Sequence, residues 1–520
     1  MTDAPRAQWN SRIGFVLAAM GSAIGFGSMA RFPMNAANNG GAAFILLYAG
    51  IMLLIGVPMM VSEFSVGRSA QSNTVGAFKR LTGDRRTPWR AAGVFYFVLA
   101  AFFLSWYSIA AGWVLRYVFA SATGAYFDDP TAYFTAAQEG PWTLFWHLGV
   151  MALTLVAVLG VVSKGIERLN LVLMPALFVI VLFLAIYAAT RTGVAEGYSF
   201  YLKPDFGAVT LSVVIAAVGQ AFFSLSLGQG AMMTYASYLP KSASLARNAL
   251  TIAMSTLGFA FVCGLMIFPL LSSFGLLGTG KAGLELIFGP LSQAFAAMGS
   301  PLGNILGTLF FLATFFAAFT SAVSLVEPAI AYVTDEHRVS RRRAAVLVCA
   351  LVYAAGIAVA FSIDLLNFEG GLITDAAVIL GGLLVSLYVG WRTPAALARA
   401  RMDEGDEGPR LAKVFHPIVR YVMPGILTAL LFFTLLGTPC GLSGGSGASG
   451  LVEQLAGTGV LGCGEAAAAD MATGWALALM VGIAVGTTLM LLVGSRLRRR
   501  PVTGPGHDVI AAEPSLSHNG

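Results

Sequence analysis

Charge is what this sequence has least of. Lys, Arg, Asp and Glu make up 11% of its 520 residues, against about a quarter in a soluble domain. With 57% hydrophobic residues, the chain is excluded from the ordinary soluble folds and reads as a polytopic membrane protein. Histidine and cysteine are nearly as sparse, at five and four. The histidines are scattered without apt partners, so neither a metal cluster nor an activated nucleophile can be assembled, and an enzyme is not expected. Cys263 and Cys349 fall inside apolar runs, where a thiol serves as a small packing group. Cys440 and Cys463 share one Gly/Ser-rich stretch, where a disulfide and two free thiols both stay open. The net charge of +6 does not indicate nucleic acid. Most Lys and Arg sit in short clusters between apolar runs, which is a membrane-topology pattern. A cleavable leader is not expected either: Arg12 flanks the first run, and no small-residue cleavage site follows it.

What the chain has in abundance is apolar runs of about 20 residues, the length needed to cross the hydrocarbon. Spans are expected near 13–37, 42–70, 91–122, 143–161, 167–190, 209–238, 245–275, 303–335, 343–362, 368–391, 418–437 and 473–495, twelve in all. The loops 123–142, 363–367 and 438–472 contain no Lys or Arg. The basic clusters, such as Lys79/Arg80/Arg86 and Arg338/Arg341/Arg342/Arg343, alternate with them. That alternation puts both termini in the cytoplasm, and the expected location is a plasma membrane of bacterial inner-membrane type. Residues 276–302 carry apolar residues at helical spacing around Gly289 and Pro290 and are expected to form short helices outside the membrane. Residues 1–12 read as a cytoplasmic segment, and 498–520 as a disordered cytoplasmic tail.

Two spans are interrupted. The first contains GSAIGFGSMARFP (21–33), with Gly25 and Gly27 only two apart, too close to share one helix face. The sixth contains FFSLSLGQGAMMTY (222–235), where Gly228 and Gly230 repeat the pair. A packing role for small residues is one reading. The other follows from the bilayer, which offers no hydrogen bonds, so non-helical backbone there must line a cavity or be buried in protein. Paired interruptions in two halves of a chain point to a transporter site, where freed carbonyls meet cations and helix N-termini meet anions.

The residues then carry a resemblance. WNSRIGFVLAAMGSAIGFGSMARFP (9–33), NNGGAAF (38–44), VSEFSVGR (61–68), KGIERLN (164–170), GQAFFSLSLGQGAMMTYASYL (219–239) and FTSAVSLVEPAIAYVTDE (319–336) resemble the neurotransmitter:sodium symporter family, in its bacterial amino-acid transporter branch. The resemblance implies an all-α integral membrane fold of twelve helices. Spans 1–5 and 6–10 would form two inverted five-helix repeats with helices 1 and 6 broken, an architecture already associated with this fold. Residues 13–391 would be the transport core, 392–417 a cytoplasmic loop, and 418–497 two peripheral helices.

Site residues follow from the same resemblance. One sodium ion would be held by the carbonyls of Gly21, Ile24 and Ala317 with the side chains of Thr320 and Ser321. For the two hydroxyls, back-bonding to helix carbonyls is the plain alternative. A sodium site beside the substrate is carried less completely: Ala23 and Ser224 are in place, but Ser28 and Thr256 stand where longer carbonyl-bearing side chains are usual. One coupled sodium is therefore an option. Chloride is left open, since Ala260 stands where serine is usual. In the substrate pocket, Tyr107 and the amides near Phe26 and Gly27 would bind a carboxylate. The carbonyls of Ala23, Phe223 and Ser224, with the Ser226 hydroxyl, would accept from an amine. Gly25 stands where monoamine members carry Asp, so the substrate would bring its own carboxylate. Phe26, Phe103, Phe223, Gln229, Ser321 and Leu325 would shape the side-chain pocket, for a small or partly polar substrate.

Arg31 matches an outer gate, with Asn367 in place of the usual Asp and Asp364, Glu369 or Gln220 as stand-ins. Arg6 and Asp335, with Trp9 and Tyr238, match an inner gate. Glu63 is expected to make a structural hydrogen bond, and Asp375 has no assigned role. The expected function is sodium-driven import of an amino acid by alternating access, in contact with membrane lipid, as monomer or homodimer. A transporter of another small zwitterionic solute and a non-transporting nutrient receptor are the alternatives.

Overall fold

A computed structural model describes residues 7–436, apart from 85, 139, 161, 164, 279–283, 368, 371–373 and 406–410. Arg6, Cys440, Cys463, the expected twelfth span and the tail lie outside the described residues, as do the side chains of Asp364, Asn367 and Asp375.

All regular elements among the described residues are helical. Ser11 caps the first, its hydroxyl accepting from the Gly14 amide. That helix, α1 (Arg12–Ala23), continues after a break as α2 (Gly27–Asn38), turned by 61°. Then come α3 (Ala42–Ala70), the short amphipathic α4 (Thr74–Thr82) capped by Asn73, and α5 (Arg90–Thr123), stopped by left-handed Gly124. Next are α6 (Pro130–Gln138), α7 (Pro141–Val158), α8 (Ile166–Ala189) and α9 (Val194–Leu202). The interrupted sixth span supplies α10 (Leu211–Ser224) and α11 (Ala231–Ala236). The chain goes on through α12 (Leu245–Ser273), α13 (Leu284–Met298), α14 (Leu302–His337) and α15 (Arg341–Val359). It closes with α16 (Ile363–Asn367), α17 (Thr374–Leu387), α18 (Ala395–Asp403) and α19 (Ala412–Phe432).

Eight of these helices, α3, α5, α7, α8, α12, α14, α15 and α19, are unbroken and apolar enough to cross a membrane. Each falls on an expected span. α17 winds on to Arg392, and the chain then bends by 116° into α18. Pro394 lies at that bend and cannot continue a helix. Within the region 276–302, Leu284–Met298 forms α13, with Pro290 inside a widened turn at Ile287–Leu291. The helices α4, α6, α9 and α18 were not expected, because each is too short for a span and its apolar face only has meaning against a neighbour.

The pattern of burial is that of a protein dissolved in lipid. Leu54, Val156, Val172, Val179, Ile186 and Leu351 are exposed, each more than half. The interior instead holds small residues and a few polar ones, as bilayer packing allows. At the centre α14 lies along α5, and α1 packs against α8, α12 and α14. α14 has 36 residues, about 54 Å at 1.5 Å per residue, so it outreaches the hydrocarbon and carries its last turns beyond it. The breaks in the first and sixth spans sit beside these two long helices. Cys263 and Cys349 are buried free thiols.

Candidate transport site

The site grows out of the two breaks. α1 stops at Ala23 because Ile24 turns to φ −90°, ψ 97°, and helix resumes at Phe26. The unwinding frees carbonyls, and side chains of other helices take them up. Ser321 of α14 donates toward Gly21 O at 3.1 Å and Ser22 O at 3.2 Å. Ser226 donates to Ser22 O at 2.8 Å. In the second break the backbone enters the left-handed region three times, at Ser226 (φ 50°), Gly228 (φ 73°) and Gly230 (φ 77°). For Ser226 that conformation costs about 1–2 kcal/mol. Its bond to Ser22, which joins one break to the other, is the local compensation.

Glycine is required at 228 for a second reason. Its amide donates to Glu63 Oε1 at 2.6 Å, which is the structural hydrogen bond expected of that acid. On the other side a Cβ would collide with Val378 O and crowd the Gly382 amide. Neither neighbour is a flexible side chain. Gly228→Ala should therefore destabilise the fold by well over the few tenths of a kcal/mol of an exposed change, read as a lowered midpoint of thermal unfolding in detergent. A cost of about 3 kcal/mol or more is expected from the left-handed φ and the backbone collision together.

Between the breaks lies a small cavity of about 20 Å³, room for little more than one water. Ser22, Ala23, Gly25, Phe26, Gly27, Phe103, Tyr107, Phe223, Ser226, Gln229, Ser321 and Leu325 line it. The residues named from the sequence for a substrate are thus brought together, with the exception of Ser224. Its hydroxyl, named for the substrate-adjacent sodium ion, accepts from Gln220 Nε2 at 2.9 Å. The Phe223 carbonyl is also in use, accepting from the Ser226 amide at 3.2 Å. Aromatic rings close the cavity: Phe26 on Tyr107 at 4.9 Å, Phe103 on Tyr107 at 5.7 Å, and Phe103 on Phe223 at 6.0 Å. The Tyr107 hydroxyl is buried, faces Ser321 and the Phe26 backbone, and makes no hydrogen bond of ordinary geometry. Gly25 is what leaves it room. A Cβ there would lie 2.7 Å from Tyr107 Oη and 2.9 Å from Ser321 Oγ.

The residues named for sodium separate into two groups. Gly21, Ala317, Thr320 and Ser321 meet where α1 crosses α14. Thr320 Oγ1 donates to Phe316 O (2.9 Å) and Ala317 O (3.1 Å), so it is back-bonded while its lone pairs stay available. Ser28 and Thr256, by contrast, are fully buried with hydroxyl oxygens that have no hydrogen-bond partner.

Each face of the site has its own closure. On one side the Arg31 guanidinium stacks over Phe223 at 4.9 Å. Gln220, considered as its partner, is committed to Gly27 O, Ser224 and Asn35. On the other side Trp9 packs edge-on to Tyr238 and donates to Tyr235 O at 2.9 Å. Asp335 accepts from the Asn73 amide at 3.0 Å and from its side chain at 3.2 Å. This face also holds a buried network that sequence reading missed. Arg341 makes two bonds to Glu327, of 2.8 and 2.7 Å, and Tyr238 donates to the same carboxylate at 2.7 Å. Arg341 further donates to Gly160 O at 2.6 Å. An acid inside an apolar run was the available signal for Glu327. Arg341 was hidden in a basic cluster that reads as topology. No group of three or more His, Cys, Asp or Glu side chains among the described residues is placed to hold a metal ion.

The sequence pattern of the family described as "Sodium:neurotransmitter symporter family" matches residues 6–127 and 135–373 of this chain. The chain belongs to that family. Within it, the sodium-dependent transporter YhdH of Bacillus subtilis is 34% identical over 454 residues, covering 84% of this chain and 99% of its own. A sodium-dependent transporter of Methanocaldococcus jannaschii is 31% identical over 463 residues, covering 83% and 91%. Among solved structures, MhsT, crystallised with L-phenylalanine, superposes with a TM-score of 0.73 at 36% identity over 82% of this chain and 99% of its own. As a member of this symporter family the protein is an integral membrane, sodium-coupled transporter and not an enzyme.

Proposed function

We propose that this symporter imports an amino acid, carried with sodium by alternating access around the cavity between the two breaks. The observation that carries the reading is the Tyr107 hydroxyl, buried in that cavity with its hydrogen bond unmade. A buried donor is costly to leave unpaired, and a substrate carboxylate beside Gly25 would satisfy it. The Phe26–Gly27 segment opens α2, so its amides suit the same negative group. Carbonyls near Ala23 and the Ser226 hydroxyl would receive the amine. No acid among the described residues lines the cavity, which favours a zwitterion over a bare amine. Its small volume, narrowed by Phe103, and Gln229 in its lining favour a small or partly polar side chain, admitted when the rings of Phe103 and Phe223 part. MhsT with its bound L-phenylalanine supports the amino-acid class.

Sodium would sit among Gly21 O, Ala317 O, Ile24 O, Thr320 Oγ1 and Ser321 Oγ, neutral hard oxygens suited to a hard cation. At the substrate-adjacent position Ala23, Ser28, Ser224 and Thr256 would form a second, weaker site, so that one tightly coupled sodium is the expected stoichiometry. The inner gate would be Trp9, Tyr238 and Asp335 with Arg6, and the outer gate Arg31 and Phe223 near Asn367. We extend this to twelve spans in two inverted repeats, with both termini cytoplasmic.

The test is purified protein in sealed vesicles with an imposed sodium gradient and a panel of labelled amino acids. Gradient-dependent uptake supports the reading, whereas saturable binding without uptake would favour a receptor. Tyr107→Phe should lower affinity for the carboxylate substrate by about 10- to 100-fold, the value of a hydrogen bond to a charged group. Thermal stability without substrate should be unchanged, since the hydroxyl has no partner to lose. Equal affinity in both proteins, measured by titration, would move the carboxylate elsewhere.

A further inference from the structure

Asn170 is a buried polar residue that the site as described leaves unused. It lies one turn into α8 and is fully buried. Its Nδ2 donates to Ile166 O at 2.9 Å, which fixes the orientation of the amide and turns Oδ1 the other way. That oxygen has no hydrogen-bond partner. It points at Gly21: a Cβ on Gly21 would collide with it and would stand 3.0 Å from Thr320 Cβ. The amide oxygen, the last turn of α1 and the Thr320 turn of α14 therefore meet at one point. The notch left by Gly21 is what lets the carboxamide in.

Gly21 and Thr320 are both residues of the proposed sodium site, and the oxygens there are all neutral: carbonyls, hydroxyls and now a carboxamide. An unpaired amide oxygen facing such a set lacks a partner of positive character, which a cation or its water of hydration supplies. We propose that Asn170 Oδ1 is a further ligand of the sodium ion bound between α1 and α14, reached directly or through one water and contributed by a third helix, α8. The inference rests on the sodium site proposed above. KGIERLN was singled out as a motif in the sequence, but its Asn had no role there.

The experiment reads sodium binding rather than transport. Purified, substrate-free protein in detergent is titrated with sodium at constant ionic strength, and its sodium-dependent thermal stabilisation is followed. Asn170→Leu keeps the size and removes the oxygen. It should raise the half-saturating sodium concentration at least tenfold while leaving stability in choline buffer no lower than wild type. Asn170→Asp keeps an oxygen and adds charge, and should lower the half-saturating concentration. Thr320→Val serves as the control on the site itself. A shift in Thr320→Val with Asn170→Leu within twofold of wild type would overturn the role of Asn170 and leave the sodium site standing. No shift in either would place the ion elsewhere, and the proposal would fall with the site. If Asn170→Leu does not fold, Asn170→Asp decides: an unchanged or raised half-saturating concentration overturns the proposal.

Discussion

Gly25→Ala should abolish substrate binding and leave a folded protein. The added methyl would stand 2.7 Å from the Tyr107 hydroxyl and 2.9 Å from that of Ser321, inside ordinary contact distance of both. Those atoms are the ends of side chains, so the fold accommodates the change by small rotations. The cavity does not, because it has only about 20 Å³ to give and the methyl takes the place beside Tyr107 that a carboxylate needs. Steric exclusion and a lost charged hydrogen bond together should cost about 3 kcal/mol or more, a loss of over about 100-fold in affinity. Equilibrium binding of the transported amino acid measures it, with thermal stability in substrate-free buffer as the control. Retained affinity would show that the carboxylate lies away from Gly25 and would remove the main support for the amino-acid reading.

The second large effect is expected at the face closed by Trp9 and Tyr238, the inner face of the function proposed above. Arg341→Ala leaves Glu327, which is fully buried, with the Tyr238 hydroxyl as its remaining described partner in place of two guanidinium bonds. Breaking a buried pair from one side costs about 3–5 kcal/mol, because a charge is left in a poor solvent. The network ties α14 and α15 to Tyr238, just beyond α11 of the broken sixth span, and to the turn at Gly160. Its loss should loosen that face in particular. If closure of the inner face depends on these bonds, the equilibrium moves toward the open form by about 100-fold or more, and sodium-driven uptake collapses. Adding Glu327→Gln to Arg341→Ala removes the stranded charge. The double variant should recover part of the lost thermal stability although it has lost one more native group. A double variant no more stable than Arg341→Ala would refute the electrostatic account, since the two changes would then simply add. Arg341→Lys should rescue poorly, because a single ammonium cannot replace a two-pronged guanidinium that also reaches Gly160 O.

Much of the cavity was legible because its makers are local in sequence. Gly25 and Gly27, like Gly228 and Gly230, are spaced in a way that no helix face uses. The break they imply is visible as a 61° bend in the first span and as three left-handed residues in the sixth. Tyr107 was legible only through the family resemblance, since a tyrosine in an apolar run has many meanings. Ser224 shows the limit of residue-by-residue transfer. It was named for its carbonyl, yet the residue does not line the cavity, which its neighbour Phe223 does.

The sequence by itself determined the class of environment, the existence and length of the long spans, and the two places where helix gives way. These depend on apolar content over about 20 residues and on backbone freedom at single positions, properties that a short window carries. Only the tertiary structure decided which polar groups meet. Glu327 is joined to Arg341 and Glu63 to Gly228, and the unpaired Asn170 oxygen is set against Gly21, across turns or helices whose relative placement comes from packing. In a low-dielectric interior the worth of each such group depends on having that partner within reach.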